Sequence, residues 1–190
     1  QKIREAERGV IVEEYGAREG EIINGFVSKI ERGVVYIDFN RASGIILPEE
    51  QIPGEFYDRG DRIKAYLYQV EETPRGVNLK LSRTHPGFVE GLFAMEAPEI
   101  ASGIVEIKSI AREAGSRSKI AVFSNDEHID PVGSCVGQKG VRVTTVMGEL
   151  NGEKIDIIPW SPDPATYIAS AISPATITDI KIDDDENKAT

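Results

Sequence analysis

A basic residue enclosed by two glycines lies in the second half of the chain, at Gly137, Lys139 and Gly140. Glycine lets the backbone turn tightly and lets another backbone approach closely, because it has no Cβ. A helix that begins just after such a turn presents unpaired N–H groups and the positive end of its dipole, which together favour binding of a phosphate. We therefore predict that this loop clamps a nucleic-acid backbone, with added positive charge from Lys139 and Arg142.

The overall charge of the chain argues against this prediction. The 190 residues include 22 Lys and Arg against 32 Asp and Glu, a net charge of −10, whereas nucleic-acid-binding proteins are usually basic, at least locally. Residues 104–145 contain six basic and five acidic residues, so this stretch is slightly positive and the remainder strongly negative. We expect modest affinity for a nucleic acid and a marked dependence on salt.

The elements that must hold the loop follow from capping and turn residues. Asp130-Pro131 combines an N-cap with a proline at the first helical position and predicts a short helix that runs into the loop. A second helix is predicted over Val141–Leu150, because Asn151-Gly152 is a typical C-terminal signal. Three strands that would form a sheet under these helices are predicted at Gly103–Arg112, Arg117–Ser124 and Lys154–Pro159.

The first half of the chain has the period-two pattern of β-strands. Turn residues separate five candidate strands, and five short strands with a longer insertion after the third favour a small closed barrel of the OB type. On the second strand we expect Val35, Ile37 and Phe39 to face the core. The predicted strands are Glu21–Glu31, Gly33–Asn40, Gly44–Leu47, Arg62–Glu71 and Gly76–Ser82. A helix then opens at Pro86, with a predicted core face of Phe88, Val89, Leu92, Phe93 and Met95.

The strands resemble those of the S-one RNA-binding domain, an OB-type domain named after a ribosomal protein. The likeness rests on residues 25–30, 34–39, 44–48 and 60–63. In that family two aromatic residues on the second strand face RNA. Tyr36 matches the second of them, Gly33 takes the place of the first, and Phe26 on the first strand could add to the surface. The resemblance therefore implies a thin stacking platform of Phe26 and Tyr36.

The arrangement of hairpin, helix, glycine loop and helix resembles a KH domain of the bacterial type, whose loop clamps about four nucleotides of a single strand. By this resemblance, phosphates would run along the loop and bases would lie in an apolar groove walled by Val136, Val141 and Ile157. Arg142 would reach a phosphate or stack on a base. The implied RNA-binding residues in this unit are Val136, Gly137, Gln138, Lys139, Gly140, Val141, Arg142 and Ile157.

The two modules in this order resemble the NusA family of bacterial transcription factors. The specific stretches are residues 82–86, 130–137, 152–158 and 160–164. The resemblance implies a multidomain chain with a connector helix at 1–19, an S-one OB barrel at 20–84, an α+β KH domain at 85–160 and the start of a second KH domain at 161–190. Because the chain lacks an initiator Met and stops where a strand is starting, we expect a segment of a longer protein, without the polymerase-binding N-terminal domain and with the second KH truncated.

The family resemblance implies a role in transcription elongation, termination and antitermination, in which nascent single-stranded RNA is held near RNA polymerase. Its implied partners are that RNA, RNA polymerase (mainly through the missing N-terminal domain) and other antitermination factors. We expect the chain to be cytoplasmic, because the one cysteine, Cys135, fits a reducing compartment and no apolar run approaches the length of a membrane span. We also expect it to be a monomer. No membrane contact, cofactor or metal is expected.

Enzyme chemistry has little support in the sequence. The two histidines, His85 and His128, have no recognisable nucleophile partner, and no phosphate-binding P-loop, zinc spacing or dinucleotide fingerprint occurs, so no catalytic residue is predicted. Two alternatives remain open. One is an accessory KH and OB region of an RNA-degrading enzyme such as polynucleotide phosphorylase, although that family places the KH domain first. The other, favoured by the charge of −10, is a protein-interaction module without an RNA role.

Overall fold

Two units make up the chain, Gln1–Leu92 and Phe93–Thr190. The computed structural model describes residues 5–39, 41–163, 182–183 and 188–189. No helix in this part of the chain is long and apolar enough to cross a membrane.

The first unit is a closed five-stranded barrel preceded by a helix. Four strand pairs are antiparallel, and β3 pairs with β5 in parallel. The neighbours around the barrel are β1-β2-β3-β5-β4. The elements are α1 (Glu5–Gly16), β1 (Ile22–Glu31), β2 (Val34–Asp38), β3 (Ser43–Ile46), β4 (Arg62–Thr73) and β5 (Gly76–Ser82).

Alternating side chains fill the barrel. On β2, Val35 and Ile37 are buried, and Phe39 just beyond the strand packs against the same core, as the period-two pattern predicted. Register shifts interrupt the pairing after Val27 on β1 and after Leu67 on β4. Such bulges add twist and curvature to a strand, which is what closing so small a barrel requires.

An ion pair between the buried Arg83 and the partly buried Glu55 fixes the long connection between β3 and β4. Arg83 lies 2.7 Å from Glu55, measured from Nε to Oε1, and its Nη1 donates a 2.6 Å hydrogen bond to the carbonyl of Lys64. The buried Ile52 anchors the same connection from inside. The loop is therefore held at several points although it contains only one short 3₁₀ turn, Pro48–Glu50.

The second unit is a three-stranded sheet with helices. The order is β6-β7-β8, with β6 and β7 antiparallel and β7 and β8 parallel. The parallel connection is made through α4 and α5, which both contact β8. Helix α2 (Pro86–Glu96) spans the boundary between the two units. The remaining helices and strands, all in the second unit, are α3 (Pro98–Ala101), β6 (Val105–Glu113), β7 (Arg117–Ser124), α4 (Pro131–Val136), α5 (Val141–Glu149), β8 (Lys154–Pro159), β9 (Ile182–Asp183) and β10 (Lys188–Ala189).

One detail of the α2 region differs from the sequence predictions. Met95 was expected in the core, but its side chain is 55% exposed, while the other four residues of the predicted stripe are buried. Pro98 lies beyond the end of α2 and begins the separate helix α3, because proline is well suited to a first helical position.

Some predictions fall on residues that the structure does not describe. Of the predicted connector at 1–19, the described helix covers Glu5–Gly16. The predicted start of a second KH domain at 161–190 falls mostly outside the described residues, which there include only 161–163 and the short pair of strands β9 and β10.

Candidate nucleic-acid interface

The loop between α4 and α5 has an unusual backbone. Gly137 has φ 79° and ψ 170°, Lys139 has φ 56° and ψ 23°, and Gly140 has φ 76° and ψ 14°. The conformation of Gly137 is essentially restricted to glycine, and a left-handed lysine costs about 1–2 kcal/mol. Strained residues of this kind persist when the surrounding structure holds them, and they are concentrated at functional sites.

Hydrogen bonds hold the loop at both of its ends. Asp130 caps α4 by accepting a 3.1 Å bond from the amide of Val132, as its position before Pro131 predicted. The amide of Gly137 donates to the carbonyl of Gly133 at 2.9 Å, and the amide of Gly140 donates to the carbonyl of Gly137 at 3.0 Å. Gln138 and Lys139 are left exposed at the tip of the loop.

Arg142, in the first turn of α5, is held by contacts within the unit. Its Nη1 donates to Glu99 Oε2 at 2.8 Å and to the carbonyl of Ser134 at 2.7 Å. The pKa of the Glu99 carboxyl is lowered, chiefly by a hydrogen bond from the backbone amide of Glu99 itself and to a smaller extent by the Arg142 guanidinium. The sequence pointed to Arg142 as a phosphate or base contact, and the structure gives it two intramolecular acceptors.

A cleft of about 530 Å³ lies beside the loop. Of the three apolar residues expected to wall a base-binding groove, only Val141 lines this cleft, and it is 60% exposed. Val136 and Ile157 are half-buried and do not line it. Ile157 lies on β8 in register with Ile120 of β7. The cleft is lined instead by Glu99, Asp130, Gly133, Ser134, Gly137, Gln138, Val141 and Arg142.

The two aromatic residues predicted on the barrel lie on its outer face. Tyr36 alternates with the buried Val35 and Ile37 and is half-buried, while Phe26 is 55% exposed. A cation lies over each ring: Lys29 Nζ is 4.6 Å from the centre of the Tyr36 ring, and the guanidinium carbon of Arg62 is 6.0 Å from that of Phe26. Aromatic and cationic groups in this combination suit stacked bases.

Comparisons with known proteins agree along the whole chain. The sequence model of the NusA-like first KH domain matches residues 83–160. The Transcription termination/antitermination protein NusA of Halalkalibacterium halodurans is 47% identical over 98% of this chain and 49% of its own length. The protein of the same name from Bacillus subtilis is 47% identical over 100% of this chain and 51% of its own length.

The chain belongs to the NusA family. A third relative, the NusA of Thermus thermophilus, is 45% identical over 100% of this chain and 49% of its own length. The chain thus spans about half the length of the curated NusA relatives it matches. The KH match includes the whole Gly137–Gly140 loop and eight of the ten predicted site residues, while Phe26 and Tyr36 precede it.

Sequence reasoning missed Glu99, which holds Arg142 in the matched NusA region. A local signal for its position existed: Pro98-Glu99 places a proline and an acidic residue in the first turn of a helix, where both are favoured. Its partner lies 43 residues further along the chain, and no local pattern connects the two.

Proposed function

We propose that this chain binds single-stranded RNA through the Gly137–Gly140 loop. The observation that carries the proposal is the loop itself: three residues with positive φ, an exposed lysine at the tip and the start of α5 directly behind it. A phosphate beside this turn meets the exposed Lys139 and the positive end of the α5 helix dipole. The proposed contacts are Val136, Gly137, Gln138, Lys139, Gly140, Val141 and Ile157, with Arg142 in the role argued in the next subsection.

We also propose that the barrel is an OB-fold of the S-one type and that it adds a weaker stacking surface. Its support is the five-stranded closed topology with β3 parallel to β5, together with the exposed ring of Phe26 and the half-buried ring of Tyr36 on one outer face. In this assignment residues 1–19 are a connector, 20–84 the OB domain and 85–160 a bacterial-type KH domain, and 161–190 begin a second KH domain.

The names of the relatives support a role in transcription. They are transcription termination/antitermination proteins, and we propose that this chain serves the same process by holding nascent RNA next to RNA polymerase. Its partners would be that RNA, the polymerase (mainly through a domain outside this chain) and other antitermination factors, in the cytoplasm. The role is one of binding and positioning, without a catalytic step.

The test is a titration of the full chain with a short single-stranded RNA, comparing Gly140→Asp with Gly140→Asn. Gly140 suits this test because a Cβ there meets only Thr144 Oγ1, at 3.9 Å. Asn and Asp have similar size and both tolerate the left-handed conformation, so their difference isolates the added negative charge. We expect Gly140→Asp to bind at least about tenfold more weakly than Gly140→Asn at low salt, because a carboxylate repels the phosphate.

Equal affinities of the two variants would contradict the proposal. Absence of RNA binding by the unmodified chain, with retained binding to RNA polymerase, would favour the protein-interaction alternative instead. The other alternative, an accessory region of an RNA-degrading enzyme, has no support from the comparisons, which match the chain to NusA proteins over 98–100% of its length.

A further inference from the structure

We propose that Arg142 is a positioning residue: anchored by Glu99, it sets the shape of the Gly137–Gly140 loop and leaves phosphate contact to Lys139. This inference rests on the proposed RNA binding and goes beyond it, because it assigns different roles to the two cations of the loop and gives Glu99 a role in RNA affinity.

The first support is the way Arg142 joins the helices on either side of the loop. Arg142 belongs to α5, and the carbonyl that accepts from its Nη1 belongs to Ser134, near the end of α4. Carbonyl groups in the last turn of a helix have no partner within the helix. A side chain from α5 thus satisfies such a carbonyl of α4, and the separation of the two helices across the loop is fixed.

The second support is the contact between the Arg142 stem and Gly137. A Cβ at position 137 would lie 2.6 Å from Arg142 Cγ and 2.9 Å from its Cβ, distances that real Cβ atoms essentially never show. Gly137 therefore serves two purposes, since it adopts a backbone conformation that other residues avoid and leaves room for the arginine stem. The loop and Arg142 are fitted to each other.

The third support is the charge on the Arg142 side of the loop. Glu99 comes from α3 and lies 2.8 Å from the arginine, and Asp130 lines the same cleft. Two carboxylates against one cation make this cleft unfavourable for a phosphate. Lys139 is exposed at the tip, so the RNA backbone is expected to run along the lysine.

The direction in which one substitution changes RNA affinity distinguishes a positioning role of Arg142 from direct contact with phosphate. If Arg142 positions the loop, Glu99→Gln loosens the anchor and weakens RNA binding. If Arg142 is a phosphate ligand that Glu99 holds back, the same change releases it and strengthens binding. Removal of any carboxylate also raises affinity slightly through long-range electrostatics, so Glu127→Gln, at an exposed loop residue of the same unit, is the matched control.

The experiment measures two quantities on the full chain: affinity for a short single-stranded oligouridine at low salt, and hydrogen exchange of the segment 133–145 without RNA. We expect Glu99→Gln to bind about fivefold more weakly than Glu127→Gln, in line with loss of a charge-assisted hydrogen bond. We also expect its loop amides to exchange faster, including those of Gly137 and Gly140.

Tighter binding by Glu99→Gln than by Glu127→Gln, with unchanged exchange, would overturn the inference. The exchange measurement needs no RNA, so it keeps the two proposals separable. If the unmodified chain fails to bind RNA, the proposed function fails, and exchange alone then decides whether Glu99 and Arg142 hold the loop.

Discussion

Glu153 and Arg112 form an ion pair whose side chains are 0% and 2% exposed. Arg112 donates from Nη2 to Glu153 Oε1 at 3.1 Å and from Nε to Oε2 at 3.1 Å. Ser118 Oγ donates to the same carboxylate at 2.6 Å, and the amide of Gly115 donates at 2.8 Å. Burying two charges is costly unless the pair is fully hydrogen-bonded, and here every contact ties the start of β8 to the β6–β7 hairpin.

Replacing Glu153 by Ala should destabilise the second unit by about 3–5 kcal/mol, because it leaves the buried Arg112 cation uncompensated. Urea unfolding followed by the fluorescence of Trp160, the one tryptophan of the chain, measures this change in the free energy of unfolding. The control is Glu106→Ala. Glu106 forms an ion pair with Lys108, and the two side chains are 44% and 34% exposed. Loss of this exposed pair should change the free energy of unfolding by at most about 1 kcal/mol. Equal effects of the two substitutions would show that the buried pair adds no stability of its own.

Local patterns were enough to predict the elements that carry the loop. The Asp130 cap, the strand Arg117–Ser124 and the burial of Val35 and Ile37 all follow from neighbours in sequence. The pairs that position these elements could not be predicted in this way, because Arg112 lies 41 residues from Glu153 and Glu99 lies 43 from Arg142. The position of the candidate site was thus visible in the sequence, whereas the partners of its side chains required the fold.

Replacing Lys139 by Ala should reduce the salt dependence of RNA binding. Loss of one phosphate contact to a single strand lowers the slope of log affinity against log salt by about 0.7. Alanine and lysine carry a similar cost in the left-handed conformation, so the loop backbone should stay unchanged. Titrations at several salt concentrations measure the slope.

The control for Lys139 is Lys154→Ala, since Lys154 is also exposed but lies at the start of β8 beside Arg117. Its removal should leave the slope close to that of the unmodified chain. If the two variants have the same slope, Lys139 makes no specific phosphate contact and contributes only to net charge.

Replacing Phe26 by Ala should weaken binding to an RNA long enough to reach the barrel. Stacking on an aromatic side chain contributes about 1–3 kcal/mol per base, so we expect an affinity loss of at least about fivefold. Tyr36→Ala should act in the same direction and less strongly, because its ring is already half-buried.

The control for the barrel face is Phe56→Ala. Phe56 lies in the connection between β3 and β4 and is 91% exposed, so its removal deletes an equally large ring from the same unit. Binding measured by fluorescence anisotropy should be unaffected by this change. An equal loss for Phe26 and Phe56 would remove the case for a stacking platform on the outer face of β1 and β2.

Cys135 should react with thiol reagents far more slowly in the folded chain than in urea. Its side chain is fully buried in α4, and burial raises the pKa of the thiol from about 9 to about 11, while only the thiolate is nucleophilic.

Because the pKa of the Cys135 thiol is raised in the folded chain, the thiol of the unfolded chain loses its proton at lower pH. The stability that the protonated thiol contributes is therefore fully present below about pH 9 and is lost as pH rises toward 11. Urea unfolding at pH 7.5 and 10 measures this loss, and the fall in stability should be smaller in Cys135→Ala. An equal fall in both proteins, or rapid labelling of the folded chain, would mean that the thiol is accessible and that α4 opens readily next to the glycine loop.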